Sequence, residues 1–313
     1  MAAFVSDVIV VEKPLVMPVS LSPCWDMLES TVEQALVQEA ALSPKPGLVD
    51  SLNNGAHHDM CLDTFVKSAR AIAPFMPVFA ELGYQHQHLL PEDILPMIRP
   101  LGMACEKAMF WATNGVNTHK GAVFAFSLLC TAMGYGYTGG QMRAGGAYTH
   151  ELCQIVTLFC KDLVARELEH GGKDKTAGSL AYQQHGLAGA RGEAESGFAT
   201  VRNIGLPLYQ SLMEEQTPAE MAQLHVLMNY LAYNEDTNLV SRGGIAGLRQ
   251  AQQMAIAYLQ QNSVFADEGL RQLREMDRFF TARRWSPGGS ADLLAVTIFL
   301  HEVEKFRAVA HDG

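Results

Sequence analysis

Residues 122–133 are apolar almost all round, and a helix without a polar stripe is stable only when other elements enclose it on every side. Such a segment requires a shell, and the rest of the chain offers helices to build one. Over residues 25–41, Leu28, Val32, Ala35, Leu36 and Ala40 recur at three- and four-residue steps, which predicts an amphipathic helix stopped by Pro44 and Pro46. A second helix is expected from a cap at Asp63 to residue 82, kinked at Pro74 and Pro77. Pro91 opens a third helical region, interrupted near Pro100. Further helical periodicity covers 148–168, 176–185, 199–213, 217–234, 245–259, 267–283 and 291–303. Alternating β-type segments and internal repeats are lacking. The fold class is therefore all-α: one domain over 24–313 of roughly ten or eleven helices around a central buried one, with motif-bearing loops at helix N-termini. Residues 1–23, with Pro14, Pro18 and Pro23 among valines, read as an extended arm.

A net charge of −10 on 313 residues argues against broad nucleic-acid or anionic-membrane binding, which needs a basic surface. It leaves room for a polyanionic small molecule held in a locally basic pocket. The six cysteines form no C-x-x-C pair and most fall in apolar helical segments, so they read as buried free thiols, in keeping with a reducing cytoplasm. Near the amino terminus Asp7, Glu12 and Lys13 interrupt the apolar residues, which reads as neither a signal peptide nor a membrane span. Six glycines fall within residues 134–146, a candidate lid over a site.

Chemistry concentrates at five junctions, each a Gly- or Pro-rich break carrying charged and amide groups next to a helix. Residues 234–244 (NEDTNLVSRGG) place Asp236, Asn238, Ser241 and Arg242 before Gly243 and Gly244. Asp236 suits a divalent cation or a proton, Arg242 suits a phosphate, and the glycines admit close backbone approach. In SPKPGLVD, with Glu39 on the preceding helical turn, two prolines stiffen the chain around Lys45 and so present its ammonium to a phosphate; Gly47 and Asp50 follow. The neighbouring His57 and His58 read as capping or solvated residues, like His86 and His88. GVNTHKG holds Asn117 and Thr118 as caps, His119, and Lys120 at the positive end of a helix dipole, an unfavourable place unless an anion sits there. Upstream, Glu106 on an apolar helical face needs a partner, a metal or a proton. GARGEAE sets Arg191 beside Glu193 and Glu195, and SPGGSADLL offers a backbone nest at Ser286, Gly288, Gly289 and Ser290 ahead of Asp292. Each has a plainer reading as a cap, a helix stop or a surface ion pair; their recurrence is the signal.

In this order, the motifs SPKPGLVD, GAHHDM, GVNTHKG, GARGEAE, DTN-x-x-SRGG and SPGGSADLL closely resemble the ATP:dephospho-CoA triphosphoribosyltransferase family, across residues 25–300. The resemblance implies a cytoplasmic enzyme that makes the prosthetic-group precursor of citrate lyase and malonate decarboxylase. In that reaction the 2′-hydroxyl of 3′-dephospho-CoA attacks ribose C1 of ATP and expels adenine, with Mg²⁺ or Mn²⁺ as cofactor. A downstream transferase would then load the product onto an acyl carrier subunit. On that reading Glu193 is the general base and Asp50 a second catalytic residue. Asp236, Asp292, Glu39 and Glu106 are the metal ligands. Lys45, Gly47, Asn117, Thr118, His119, Lys120, Arg191, Asn238, Ser241, Arg242, Gly243, Gly244, Ser286, Gly288, Gly289 and Ser290 hold substrate and phosphate. The rivals are a magnesium-dependent ADP-ribosyl or nucleoside hydrolase and a non-catalytic nucleotide-binding accessory protein. A homo-oligomer stays open.

Overall fold

The computed structural model describes residues 25–138, 141–142, 148–169, 176–261 and 263–311. The arm expected at 1–23 lies outside them, as does most of the glycine-rich stretch proposed as a lid. Among the described residues the chain forms thirteen α-helices: α1 (Asp26–Ala41), α2 (Leu62–Ile72), α3 (Met76–Gln85), α4 (Pro91–Ala112), α5 (Lys120–Tyr135), α6 (Tyr148–Phe159), α7 (Ala177–His185), α8 (Gly189–Glu195), α9 (Leu206–Glu214), α10 (Ala219–Tyr233), α11 (Thr237–Gln261), α12 (Gly269–Arg283) and α13 (Gly288–His311). A two-stranded antiparallel ribbon, β1 (Tyr137–Thr138) and β2 (Gln141–Met142), follows α5. The all-α expectation holds, with a few more helices than the periodicity resolved.

The apolar segment became α5, buried from Ala125 through Gly134 and enclosed by α3, α4, α6 and α13. Its closest neighbour is α3, and two glycines make that approach. A methyl on Gly83 would strike the carbonyl of Thr131, and one on Gly134 the carbonyl of Ala80, so backbone lies against backbone. On the other side Phe126 meets Phe299 of α13 edge to face, centroids 5.2 Å apart, a geometry worth about 0.5–1.5 kcal/mol beyond the buried area. The core is one continuous set of apolar side chains reaching from α1 to α13.

Several boundaries differ from the sequence reading, each for a local reason. Cys61, not Asp63, caps α2, in a reciprocal arrangement with Thr64. The expected kink is there: a 3₁₀ turn, Ala73–Phe75, separates α2 from α3. α4 runs unbroken through Pro96 and Pro100. Both prolines lie on its exposed face, where water can satisfy the carbonyls they leave free. The helix expected over 148–168 stops at Phe159; Asp162 turns the chain at φ 56, and a π-helical turn spans Ala165–Glu169. Another π turn, Val201–Gly205, precedes Pro207. Of the polar run, residues 234–236 join α10 to α11, and the rest forms the first turns of α11, broken at Gly244 (φ 65, ψ −178), a conformation reserved for glycine.

Four segments end up side by side: the 42–60 loop between α1 and α2, and the starts of α5, α11 and α13.

Candidate functional site

Asp236 is the knot. One carboxylate oxygen accepts the amides of Asn238 and Leu239 at 3.0 and 3.1 Å, capping α11; the other accepts the amide and hydroxyl of Ser290 at 2.8 and 2.9 Å, tying down the start of α13. Gly289 lies against the same carboxylate, where a methyl would stand 3.2 Å away. Burial raises the proton affinity of Asp236 and these bonds oppose the shift. Four donors fill roughly the four lone-pair sites of a carboxylate, so as placed Asp236 holds two helix starts together and has no oxygen to spare for an ion.

Asp292, one turn into α13, is flanked by protein yet still touched by solvent. Gly121 leaves room for it: a methyl there would collide with the Asp292 carboxylate. The amide of Ala122, in the first turn of α5, donates to the same group. Even so its carboxyl is held well above the usual range, by burial first and then by the charges of Glu39 and Asp236. Glu39, on the last turn of α1, is also buried, and burial outweighs its ion pair in raising its proton affinity.

That ion pair corrects one expectation. The Lys45 ammonium is not presented outward to a phosphate; it is buried and donates at 2.5 Å to both the side chain and the backbone carbonyl of Glu39. A buried ammonium needs an anion, and the stiff loop leads it inward to one. Asp50 also has a building role: its oxygens accept Ser43 Oγ (2.9 Å) and the amides of Lys45 (3.1 Å), Leu52 (2.7 Å) and Asn53 (2.9 Å). Gly47, at φ 69, donates to Asp277 of α12 at 2.9 Å. Its Cα face is closed by the carbonyl of Trp285, so the loop is clamped to the turn that precedes α13.

The unfavourable charge at the start of α5 also finds its partner within the chain. Lys120 pairs with Glu106 at 3.1 Å, and that pair answers both the lysine's need for an anion and the glutamate's need for a partner. As placed, Glu106 belongs to this partly exposed pair and not to the set of buried acids. Asn117 accepts the Lys120 amide at 3.3 Å as expected, but Thr118 turns away to Ser68 Oγ at 2.7 Å. Arg191 pairs with Glu167 at 2.7 Å, an acid that also takes Arg99. Glu193 accepts the hydroxyl and amide of Thr200, and burial raises its proton affinity; the charge of Glu235 adds to the shift. At the head of its helix, Gly189 stands against Thr237, so α8 abuts the start of α11.

A second wall carries the cations. Arg242 donates to His57 Nδ1 at 3.3 Å, and His57 Nε2 meets Ser286 Oγ at 2.9 Å. Burial and the nearby guanidinium push His57 down to about 4, so it stays neutral at physiological pH. The sequence reading left this residue in solvent; half-buried, it links the 42–60 loop to α11 and α13. Only the fold brings it there. Trp285 underlies the wall: its indole fills the space a side chain at Gly243 would need and lies along Gly247. Asn238 lies beside Gly288, and the Ser241 hydroxyl is turned back onto the Asn238 carbonyl at 2.7 Å.

His119 completes the interior. Thr118 donates to Ser68, whose hydroxyl in turn meets His119 Nδ1 at 2.7 Å. The ring's Nε2 is buried with no hydrogen-bond partner among the described residues. Burial and the neighbouring Lys45 charge hold the ring neutral, with a pKa down to about 3. A buried polar nitrogen without a partner is costly, and a bound ligand would relieve it.

The described residues contain no group of three or more His, Cys, Asp or Glu side chains placed to hold a metal alone, and no helix long and apolar enough to cross a membrane. What these helix starts offer is carboxylate oxygens at Asp292 and Glu39, a neutral imidazole at His119 and the guanidinium of Arg242 nearby. That set suits a phosphorylated ligand carried with a hard cation.

A family model described as ATP:dephospho-CoA triphosphoribosyl transferase matches residues 26–310. The chain is 49% identical over 272 residues to the 2-(5''-triphosphoribosyl)-3'-dephosphocoenzyme-A synthase of Klebsiella pneumoniae, covering 87% of this chain and 89% of that protein. It is 46% identical over 282 residues to the protein of that name from Escherichia fergusonii, covering 89% and 91%. Over 274 residues it is 46% identical to a probable synthase of Salmonella typhimurium, covering 87% and 89%. No solved structure matches.

Proposed function

The chain belongs to the ATP:dephospho-CoA triphosphoribosyl transferase family, and on that premise we propose that it joins the triphosphoribosyl group of ATP to the 2′-hydroxyl of 3′-dephospho-CoA. Adenine is released and the product is 2′-(5″-triphosphoribosyl)-3′-dephospho-CoA. The observation that supports this reading best is the meeting of Glu39, Lys45, Asp236 and Asp292, from three separate junctions, at the starts of α5 and α13. Buried acids with one ammonium among them carry surplus negative charge, which is tolerable only with protons or a cation.

A divalent cation fits that surplus. Mg²⁺ commonly takes one or two carboxylates and completes its shell with substrate phosphates and water, so no three-acid cage is needed. Asp292 and Glu39 would hold it, with Asp236 fixing the helix starts around them. When bound, the ion neutralises triphosphate charge. The glycine backbones of α5 and α13, Arg242 and His57 then position the triphosphate, and His119 Nε2 hydrogen-bonds to bound nucleotide. Glu193 takes the proton of the attacking hydroxyl as the new C–O bond forms at ribose C1 and the bond to adenine breaks, in a single inverting displacement. Asp50 contributes by keeping the Lys45 loop in shape.

Incubation with ATP, Mg²⁺ and dephospho-CoA should yield free adenine and the adduct by mass spectrometry, in equal amounts. Adenine release that continues without dephospho-CoA would favour a hydrolase instead.

A further inference from the structure

A cavity of about 260 Å³ opens on the outer side of the Lys45 loop, lined by Pro44, Leu52, Asn53, Arg274, Asp277 and Arg278. Its two arginines sit one helical turn apart on α12. Their neighbours on that helix are engaged: Arg271 pairs with Glu268 and Glu275, and Arg283 stacks on Phe279 with 3.5 Å to the ring centroid. Arg274 and Arg278 alone make no hydrogen bond or ion pair with the described residues. In a chain carrying ten surplus negative charges, two unengaged guanidiniums facing one cavity mark a place for an anion. Asp277 lines the same cavity, its oxygens held by the Gly47 amide and by Asn53 Nδ2 at 3.0 Å, and the two guanidiniums outnumber its single charge. The opposite wall is apolar, formed by Pro44 and by Leu52, which is 66% exposed.

We propose that this cavity binds the acceptor substrate, with Arg274 and Arg278 on the pyrophosphate of dephospho-CoA and the pantetheine arm along Leu52 and Pro44. The inference rests on the transfer reaction proposed above. Two anionic substrates have to be held at once, and the residues proposed above around Asp292 account for one of them. ATP has no apolar arm; dephospho-CoA joins a dianionic pyrophosphate to one. The cavity also shares its wall with the loop whose inner side carries Lys45 against Glu39, so acceptor and donor would lie on two faces of one rigid segment.

The test is calorimetric titration of dephospho-CoA and, separately, of ATP with Mg²⁺ into the intact chain, its Arg274→Gln/Arg278→Gln variant and an Arg271→Gln control. The double variant should bind dephospho-CoA at least thirtyfold more weakly and ATP unchanged, and the control should match the parent for both. Adding salt should weaken dephospho-CoA binding to the parent more than to the double variant. Unchanged dephospho-CoA affinity in the double variant overturns the proposal. So does an equal loss for ATP, which would make the cavity a triphosphate site. A parent that binds dephospho-CoA through these arginines but releases no adenine leaves the cavity standing and sinks the transfer reading.

Discussion

Replacing Gly121 by alanine separates what a helix wants from what the site wants. In a helix, Gly→Ala ordinarily stabilises by up to about 1 kcal/mol, because glycine loses more backbone freedom on folding. Gly102 in α4 is such a place, since its added methyl would meet nothing within 4 Å; Gly102→Ala should stabilise by about 0.5–1 kcal/mol. At Gly121 the same methyl falls on Asp292 Oδ2 and stands 3.1 Å from its Cγ. The carboxylate must turn away. Leaving its rotamer costs about 0.5–1.5 kcal/mol, and losing the Ala122 amide costs about 1.5–3 kcal/mol for a charged acceptor. Against the helix gain, the expected outcome is a destabilisation of about 1–4 kcal/mol. Because the displaced acid is one proposed to hold the cation, a transition-state loss of about 2 kcal/mol would slow adenine release roughly thirtyfold. Urea unfolding and initial rates of adenine release on Gly102→Ala and Gly121→Ala, side by side, decide the matter. If both variants gain stability alike and turn over within twofold of the parent, Asp292 does not occupy the position on which the site depends.

Other outcomes follow from the same contacts. Glu39, Asp236 and Asp292 bind protons more tightly folded than free, so each contributes stability that is lost as pH rises from about 4 through its raised value, while His57 and His119, held neutral when folded, act in the opposite direction below about pH 6.5. Without metal, Asp292→Asn should remove the Asp292 share of the pH dependence, so that between pH 5 and 7.5 urea stability falls less, or rises more, with pH than in the parent; an unchanged slope would show Asp292 to be an ordinary exposed acid. Glu193→Gln should bind both substrates by calorimetry yet release adenine about 10²–10⁴ times more slowly. Normal release would move the base elsewhere. Gly134→Ala should destabilise by about 1–3 kcal/mol despite its better helix propensity, because the methyl meets the Ala80 carbonyl across the α3–α5 contact; a gain in urea stability would refute that packing.

Much of the fold is legible in the sequence because its causes are local. Apolar residues three and four apart mark α1 and α10, prolines at 74 and 77 mark the break between α2 and α3, and the unrelieved apolarity of 122–133 marks the enclosed helix. Where exposure decided, the reading missed: Pro100 ends nothing in α4, because whether its freed carbonyl faces water depends on what packs nearby. The motifs likewise flagged the right junctions, but not the part each residue plays.

Spacing along the chain determined which segments are helical, which helix is central and which helix starts carry acids, amides and cations, since those properties are set within a turn or two. Partnership across the fold is another matter. That Asp236 caps α13 from 54 residues away, that His57 reaches Ser286 across 229, that Lys45 turns inward to Glu39 and that Lys120 finds Glu106 were settled only by packing. A charged group's role is fixed by its nearest counter-charge and its distance from water, and both are properties of the assembled core.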